Sequence, residues 1–478
     1  MAMSTGGSSS AVSSQGESPS RVSTARALLA RMNRLPATRT VWKLVALLSL
    51  ALFFELYELL MTGVIAPGLT ASGVLATTTP GLFGTSGIAS FVAALFAGLT
   101  IGTIVAGYCT DRFGRRAIFT WAMLGYTLFS VAMACQTTAS GLNLCRFLAG
   151  IGLGIEHVTI DTYLSELVPR HIRGRGFAFS QTCGFVAVPI VGALAWILVP
   201  RAPLGVDGWR WVVLIGAASA IAVWYIRRRL PESPRWLLQV GRLDDAEKII
   251  TRLERDIEAE YGRPLPTPIE TELPAQSGRF AEILTPPYRG RAIMLAIFNV
   301  AQSIGFYGFT NWAPTLLISR GVGITHSLAY TAMIALAAPL GPLLGVVIGD
   351  RVERKWLISG AAATAAMCGL AFGNTTVPLA VIVIGAMITI ANNTMSFAFH
   401  AYQAELFPTR LRAKAVGCVY SFSRASAAVN AFMIAFVLRS FGAVGVFTFI
   451  CGAMIIVVIT IGIFGPRTTG KALEEISH

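Results

Sequence analysis

Charge is what this chain has least of. Only 13% of its 478 residues are charged, against roughly 25% in soluble proteins, and that excludes an ordinary water-soluble globule. Acids are the scarcer sign, 24 Asp and Glu against 38 Lys and Arg. The seven cysteines include no CxxC pair and lie mostly inside apolar stretches, where they read as small packing residues. No metal-ligand cluster, no nucleophile with a base at catalytic spacing and no ATP-binding loop is found, so no enzyme, cofactor, metal site or primary pump is expected. Residues 1–37, rich in Ser, Gly and Arg, hold no signal-peptide run and are expected to be a disordered tail.

Apolar sequence fills the space that charge leaves. Hydrophobic residues make up 54% of the chain and the mean hydropathy is +0.65. A helical span needs about 20 mainly apolar residues, and twelve such stretches are read: 42–66, 87–108, 117–136, 142–165, 176–199, 211–226, 292–317, 327–349, 356–373, 378–402, 413–438 and 443–465. The net charge of +14 has a topological reading. Arg112, Arg115 and Arg116, then Arg170, Arg173 and Arg175, Arg227 to Arg229, Arg351, Arg354 and Lys355, and Arg410, Arg412 and Lys414 all follow even-numbered spans. The opposite connections hold only Arg201, Arg210, Arg320 and Arg439. Lys and Arg are retained on the cytoplasmic side. Both termini are therefore expected in the cytoplasm, the lipid bilayer of a cell inner membrane is the expected surrounding, and nucleic acid is not an expected partner.

The chain also repeats itself at half its length. "DRFGRR", Asp111 to Arg116, returns as "DRVERK", Asp350 to Lys355, and "SELVPRHIRGRG" from Ser165 returns as "AELFPTRLRAKA" from Ala404. The expected fold is an all-α membrane protein with twelve transmembrane helices in two pseudo-symmetric six-helix bundles, 38–226 and 291–466. A cytoplasmic linker, 227–290, joins them, and a cytoplasmic tail, 467–478, follows. Within the linker, Leu243, Ala246, Ile250, Leu253 and Ile257 fall at helical spacing, which predicts an amphipathic helix bracing the bundle undersides.

"GYCTDRFGRR", "RFLAGIGLG", "PESPRWLL" at Pro231 to Leu238 and the two E-x-x-P-x-x-x-R elements resemble the major facilitator superfamily on its sugar-porter-like side. "FFELYELLMTGVIAPGL" and "YQAELFPTRLRAKAVG" are more similar still to its metabolite:proton symporter and organic-ion transporter branches. The resemblance covers the chain beyond the tail and implies alternating access, with two halves rocking about a central site. It departs from hexose carriers in span seven, where "AQSIGFYGFTNWAP" offers Ala301, Gln302 and Tyr307 in place of their paired Gln and following Asn.

Acids inside spans set the functional question. An ionisable group at the bilayer centre costs about 2.5 to 3.5 kcal/mol on insertion scales and needs a partner or a watery cavity. Glu55 and Glu58 lie one turn apart on one face of span one. Glu58 stands about 20 Å above the inner edge, and Arg146, near the outer end of span four, is long enough to reach it. The expectation is that Glu58 titrates and Arg146 holds or releases it, the pairing that the resemblance implies for symporters. A static structural pair is the alternative. Glu55 is a second proton site, a second partner of Arg146, or an acid bonded to a neighbouring helix. Span four adds Glu156, His157 and Asp161; Glu156 is a third coupling candidate, while its angle of about 140° to Asp161 keeps the two out of one cavity.

Arg424 falls near the midplane of span eleven, where a guanidinium suits a carboxylate; a structural role is the alternative. Gln302, Tyr307, Asn392 and Asn430 are candidate hydrogen-bonding neighbours. On the cytoplasmic side Gly107 is expected to let helices approach, Asp111 to bond a helix end, and Arg112, Arg115 and Arg116 to reach Glu166, with Asp350, Arg351 and Glu405 as the matching set. These are read as gates. The glycines of "GIGLG" at Gly150 are read as packing surfaces. The expected function is proton-coupled symport of a small organic acid by a monomer whose partners are substrate, protons and lipid. A carrier of sugars, polyols or organic cations is the second reading, and a sensor that moves nothing is the third.

Overall fold

The computed structural model describes residues 19–75, 87–268, 280–348 and 352–468, and these form helices and turns with no strand among them. In hydrocarbon a backbone must satisfy its own hydrogen bonds, which makes each apolar run a helix. Helix α1 covers Pro19–Asn33. The first bundle holds α2 (Arg39–Ala71), α3 (Ile88–Phe113), α4 (Arg115–Ala134), α5 (Ala139–Leu167), α6 (Arg173–Phe185) with α7 (Ala187–Leu198), and α8 (Gly208–Gly216) with α9 (Ser219–Arg229). After α10 (Pro234–Gln239) and α11 (Leu243–Tyr261) come α12 (Tyr288–Ser319), α13 (Ile324–Ala335), α14 (Leu340–Ile348), α15 (Arg354–Asn374), α16 (Pro378–Glu405) and α17 (Thr409–Phe464).

Nine helices among the described residues are long and apolar enough to cross a membrane. One of them, Lys414–Phe464, reverses at Gly442, whose φ of 68° is open to glycine, and so supplies two spans. The broken pair α8 and α9 and the charge-bearing α5 complete the expected twelve. Spans five, six and eight are each interrupted, a feature that apolar length alone does not reveal.

Helices α3 and α5 touch backbone to backbone. A Cβ at Gly98 or Gly102 would lie 2.1 Å from the carbonyl oxygen of Phe147 or Ile151, and one at Gly150 or Gly154 would lie 2.4 or 2.3 Å from that of Leu95 or Leu99. The glycines of "GIGLG" are thus packing surfaces, answered by a matching pair in α3. They bring α5, and with it Arg146 and His157, to a fixed height beside its neighbours.

The two bundles join from the midplane to the far face, the face opposite the arginine clusters. Phe306, Tyr307, Leu328, Ala338, Ala427 and Ala431 share one apolar core with the first bundle. Gly63 lies against Asn311, its Cβ position 2.6 Å from that backbone oxygen, and Gly192 lies against Ala332. Toward the basic face the second bundle keeps a core of its own.

Residues 19–33 fall in the stretch expected to be disordered, yet they form α1. Its Leu28 and Met32, with Leu35 beyond it, are buried, and Met32 and Leu35 share a core with Leu253 and Ile257 of α11. Arg31 and Arg34 both grip Glu254, each at 2.6 Å, and Glu260 accepts from the backbone N–H groups of Arg39 and Thr40 at the start of α2, filling orphan donors there. The amphipathic linker helix therefore braces the first bundle and the N-terminal segment. Burial pushes the Glu254 carboxyl up, but hydrogen bonds from Arg31 and Arg34 outweigh it and hold the group below the usual carboxylate range. A carboxyl depressed by folding stabilises the docked state above its unfolded value, about 4.3, and that contribution fades as pH falls through the lower folded value. Glu254→Gln is expected to loosen α1 at neutral pH, raising amide exchange over 19–33 by about fivefold, since partly exposed pairs contribute about 1 kcal/mol. Unchanged exchange would refute the clamp.

Candidate functional site

Helix α2 carries both acids into the first bundle, and the structure gives them different partners. Glu58 meets Arg146: Nη1 donates to Glu58 Oε2 at 3.3 Å, and Nη2 donates to the Glu58 backbone oxygen at 2.6 Å and to the Thr62 hydroxyl. Ser130 donates to the same Oε2 at 2.9 Å. The guanidinium lies over the Phe91 ring, 5.4 Å from its centre. Acid and base are both completely buried, so this is a dry pair in which each charge depends on the other. Glu58 Oε1 has no hydrogen-bond partner among the described residues and faces α8, where a Cβ on Gly216 would stand 3.1 Å away.

Glu55 does not join Arg146, one of the roles expected for it. Its Oε1 lies 2.7 Å from Nδ1 of His157, three turns farther along α5 than Arg146, because α2 and α5 run antiparallel and a lower residue on one meets a later residue on the other. His157 stacks on Tyr420 with ring centres 6.1 Å apart. It is partly exposed, as are Asp161, His400 and Tyr420. His400 turns its Nδ1 to the Ser396 carbonyl at 2.6 Å, the satisfied imidazole of a structural residue.

Arg424 is 2% exposed. Tyr307 from α12 and Tyr420 one turn earlier on α17 meet its Nη atoms at 2.6 and 3.0 Å, and the guanidinium lies 5.0 Å from the Tyr420 ring centre. Its Nε has no partner, and no carboxylate lies within salt-bridge distance of it among the described residues. A guanidinium has five N–H donors, and two phenols leave most of them for a ligand. Of the other expected neighbours, Gln302, Asn392 and Asn430 are buried but none bonds to Arg424 among the described residues, and the carbonyl oxygens of Asn392 and Asn430 are without partners. His157 and Tyr420 were not foreseen as site residues. The available signal was spacing, since Tyr420 lies four before Arg424 and His157 four before Asp161, neighbours on one helical face.

Glu156 points into the first bundle, away from Asp161. Among the described residues neither of its carboxyl oxygens nor the Tyr126 hydroxyl lies in hydrogen-bond geometry with a partner, and both residues are completely buried.

At the basic face Arg115, and not Arg112, reaches Glu166, at 3.0 Å, while also meeting Asp111 at 3.0 Å. Arg112 lies over the Tyr108 and Phe113 rings. Glu232 of the "PESPR" run accepts from the backbone N–H groups of Arg115 and Arg116 at 3.1 Å, capping α4. Asp111 engages the same run through its backbone oxygen, bonded by Trp236 Nε1 at 2.8 Å. The repeat reappears in space, because Arg354 pairs with Glu405 as Arg115 does with Glu166, half a chain earlier. Each pair stays inside one bundle, so both tie helix ends within a half. A Cβ at Gly107 would meet nothing within 4 Å; the close approach expected there occurs at Gly98 and Gly102, where α3 faces α5. Asp350 and Arg351 lie outside the described residues.

Comparison with known proteins follows the same lines. The family described as "Sugar (and other) transporter" matches residues 34–478. The putative metabolite transport protein YyaJ of Bacillus subtilis is 32% identical over 93% of this chain and 96% of its own length. The niacin transporter NiaP of Acinetobacter baylyi is 26% identical over 94% and 99%, and the arabinose-proton symporter of Bacillus subtilis is 26% identical over 80% and 85%. Among solved structures, the xylose transporter XylE from E. coli in a partially occluded inward open conformation superposes with a TM-score of 0.73 at 18% identity, covering 91% of this chain and all of the other, a likeness of fold.

Proposed function

The chain belongs to the sugar (and other) transporter family, whose members are membrane transporters and not enzymes, and on that premise we propose that it carries a small organic acid together with a proton. The basic face is placed in the cytoplasm of an inner membrane, and the acting unit is the monomer. Arg424 carries the reading: a buried guanidinium held by two phenols and no carboxylate is a cation awaiting an anion, and a carboxylate fills its remaining donors in the bidentate manner. The relative named as a niacin transporter supports it, niacin being a pyridine carboxylic acid.

Coupling falls to Glu58. An arginine beside a carboxyl favours the charged form and removal from water favours the neutral one, so a change in packing around the pair shifts proton affinity. A proton on Glu58 frees Arg146 from its counter-charge and loosens α2 from α5, which biases the two halves toward rearrangement. The sugar-proton relative supports a second reading, a polyol or pentose at the same centre, for which the Tyr307 and Tyr420 hydroxyls and the nearby amides are suitable ligands.

Thermal stabilisation of the purified protein separates the two readings, because a ligand stabilises the state it binds. Nicotinate and benzoate are expected to raise Tm where nicotinamide, benzamide, arabinose and xylose do not. Arg424→Gln is expected to weaken the acids by about 10- to 100-fold, the value of one charged hydrogen-bonded contact. Equal response to acid and amide, or response to sugars alone, refutes the anion reading.

A further inference from the structure

One phenol ring joins the crevice at the basic face to the Arg424 centre. Resting on the anion reading of Arg424 above, we propose that His157 is a positioning residue of that centre, acting through Tyr420, and that a proton taken up by its ring from the crevice strengthens the hold on the anion.

Each link is a direct contact. Glu55 Oε1 lies 2.7 Å from Nδ1 of His157. The other edge of the ring carries Nε2, which has no hydrogen-bond partner among the described residues and belongs to a side chain 13% exposed. The face of the ring stacks on Tyr420, with centres 6.1 Å apart and planes 19° from parallel. The Tyr420 hydroxyl accepts from Arg424 Nη2 at 3.0 Å, and its ring centre lies 5.0 Å from the guanidinium carbon. One side chain therefore touches both the imidazole and the guanidinium. Because His157 stands on α5 and Tyr420 on α17, the stack also bridges the two bundles, below the apolar core that they share.

Two more helices close around the pair. His400 of α16 meets Tyr420 edge-on, with centres 5.5 Å apart, and Tyr307 of α12 holds Arg424 Nη1 at 2.6 Å. Asp161 lies one turn after His157 on α5. The charged and titratable groups facing His157 are thus Glu55, Asp161, Tyr420, Arg424 and His400.

A carboxylate only accepts, so Glu55 keeps the ring proton on Nδ1 and leaves the lone pair on Nε2. A proton from crevice water forms a second N–H bond there, and the ring gains one positive charge. Two cations then meet the same phenol, the imidazolium on its face and the guanidinium at its hydroxyl. An anion on Arg424 relieves that crowding, so anion and proton each favour the other, by equal factors. Imidazole is the side chain whose ordinary charge change falls between about pH 5 and 8. The proton enters and leaves through the crevice, which tunes release at the basic face and leaves the accumulation ratio to Glu58.

Calorimetric titration of benzoate into the purified protein in lipid nanodiscs, repeated in buffers of different ionisation enthalpy, counts the protons taken up with the anion. Wild type is expected to take up a fraction of a proton near neutrality and to bind benzoate roughly tenfold more weakly at about pH 8 than at about pH 6, within the usual range of coupling between sites. His157→Gln, which still donates to Glu55 but does not titrate, is expected to show one affinity at both pH values and no proton uptake; His400→Gln should keep both effects. Glu55→Gln removes the counter-charge of the imidazolium and is expected to move the dependence to lower pH, which keeps the test available if His157→Gln fails to fold. Tyr420→Leu is expected to lose the uptake with the stack, and full uptake there overturns the action through Tyr420. Uptake that survives His157→Gln, uptake lost instead with His400→Gln, or equal wild-type affinity at both pH values overturns the role of His157 and leaves the anion reading standing. No benzoate binding at any pH overturns the anion reading of Arg424 itself.

Discussion

In proteoliposomes, Glu58→Gln is expected to equilibrate substrate across the membrane and to accumulate none of it. One coupled proton contributes about 1.4 kcal/mol per unit of pH difference, so the wild-type protein concentrates substrate about tenfold per unit, and the variant should fall to a ratio of one. Counterflow exchange should persist, because the Arg424 centre lies on other helices and is not touched. The substitution is not free. It leaves Arg146 buried without its counter-charge, and removing one partner of a buried pair costs about 3 to 5 kcal/mol. The lower end applies here, since the Glu58 backbone oxygen and the Thr62 hydroxyl still accept from Nη2. Accumulation by Glu58→Gln at the wild-type ratio would remove the proposed coupling.

The largest expected effect on the fold comes from Gly102→Leu. Even its first carbon would sit 2.1 Å from the Ile151 carbonyl oxygen, where no rotamer relieves the clash because the obstacle is backbone. Helices α3 and α5 would have to separate by more than an ångström, and overpacking on this scale exceeds the usual 1 to 3 kcal/mol penalty. The expected outcome is loss of the monodisperse peak in detergent chromatography. Gly107→Leu, one and a half turns away on the same helix and open to space, is the control and should run as wild type. If both variants behave alike, backbone contact between these helices is not what holds the bundle.

Much of the fold is legible in the sequence because the bilayer turns apolar length directly into helix, and twelve runs are enough to expect twelve spans. The pairing of Glu58 with Arg146 is legible for a related reason: opposite signs at compatible depths allow it, and the family resemblance points to it. The alliance of Glu55 with His157 is not. Spacing puts Glu55 and Glu58 on one face, but which residue of α5 each meets depends on how α2 and α5 cross, and the glycine contacts with α3 help to set that. The first helix was hidden by composition. Its Ser and Arg content reads as tail, and only the acids of α11, more than 200 residues away, make its arginines a docking surface. The helix break beside Glu58 is faintly marked, because Gly216 ends α8 while Ala217 and Ala218 after it carry no helix-breaking signal of their own.

The reversal at Gly442 bears on how the protein is made. Span eleven must bring Arg424 into lipid during synthesis, against a charge of about 2.5 to 3.5 kcal/mol on insertion scales. The stretch that follows the turn, from Ala443 to Phe464, contains no charged residue. With a single residue between them the two enter the translocon as one hairpin, and the oily partner carries the arginine in.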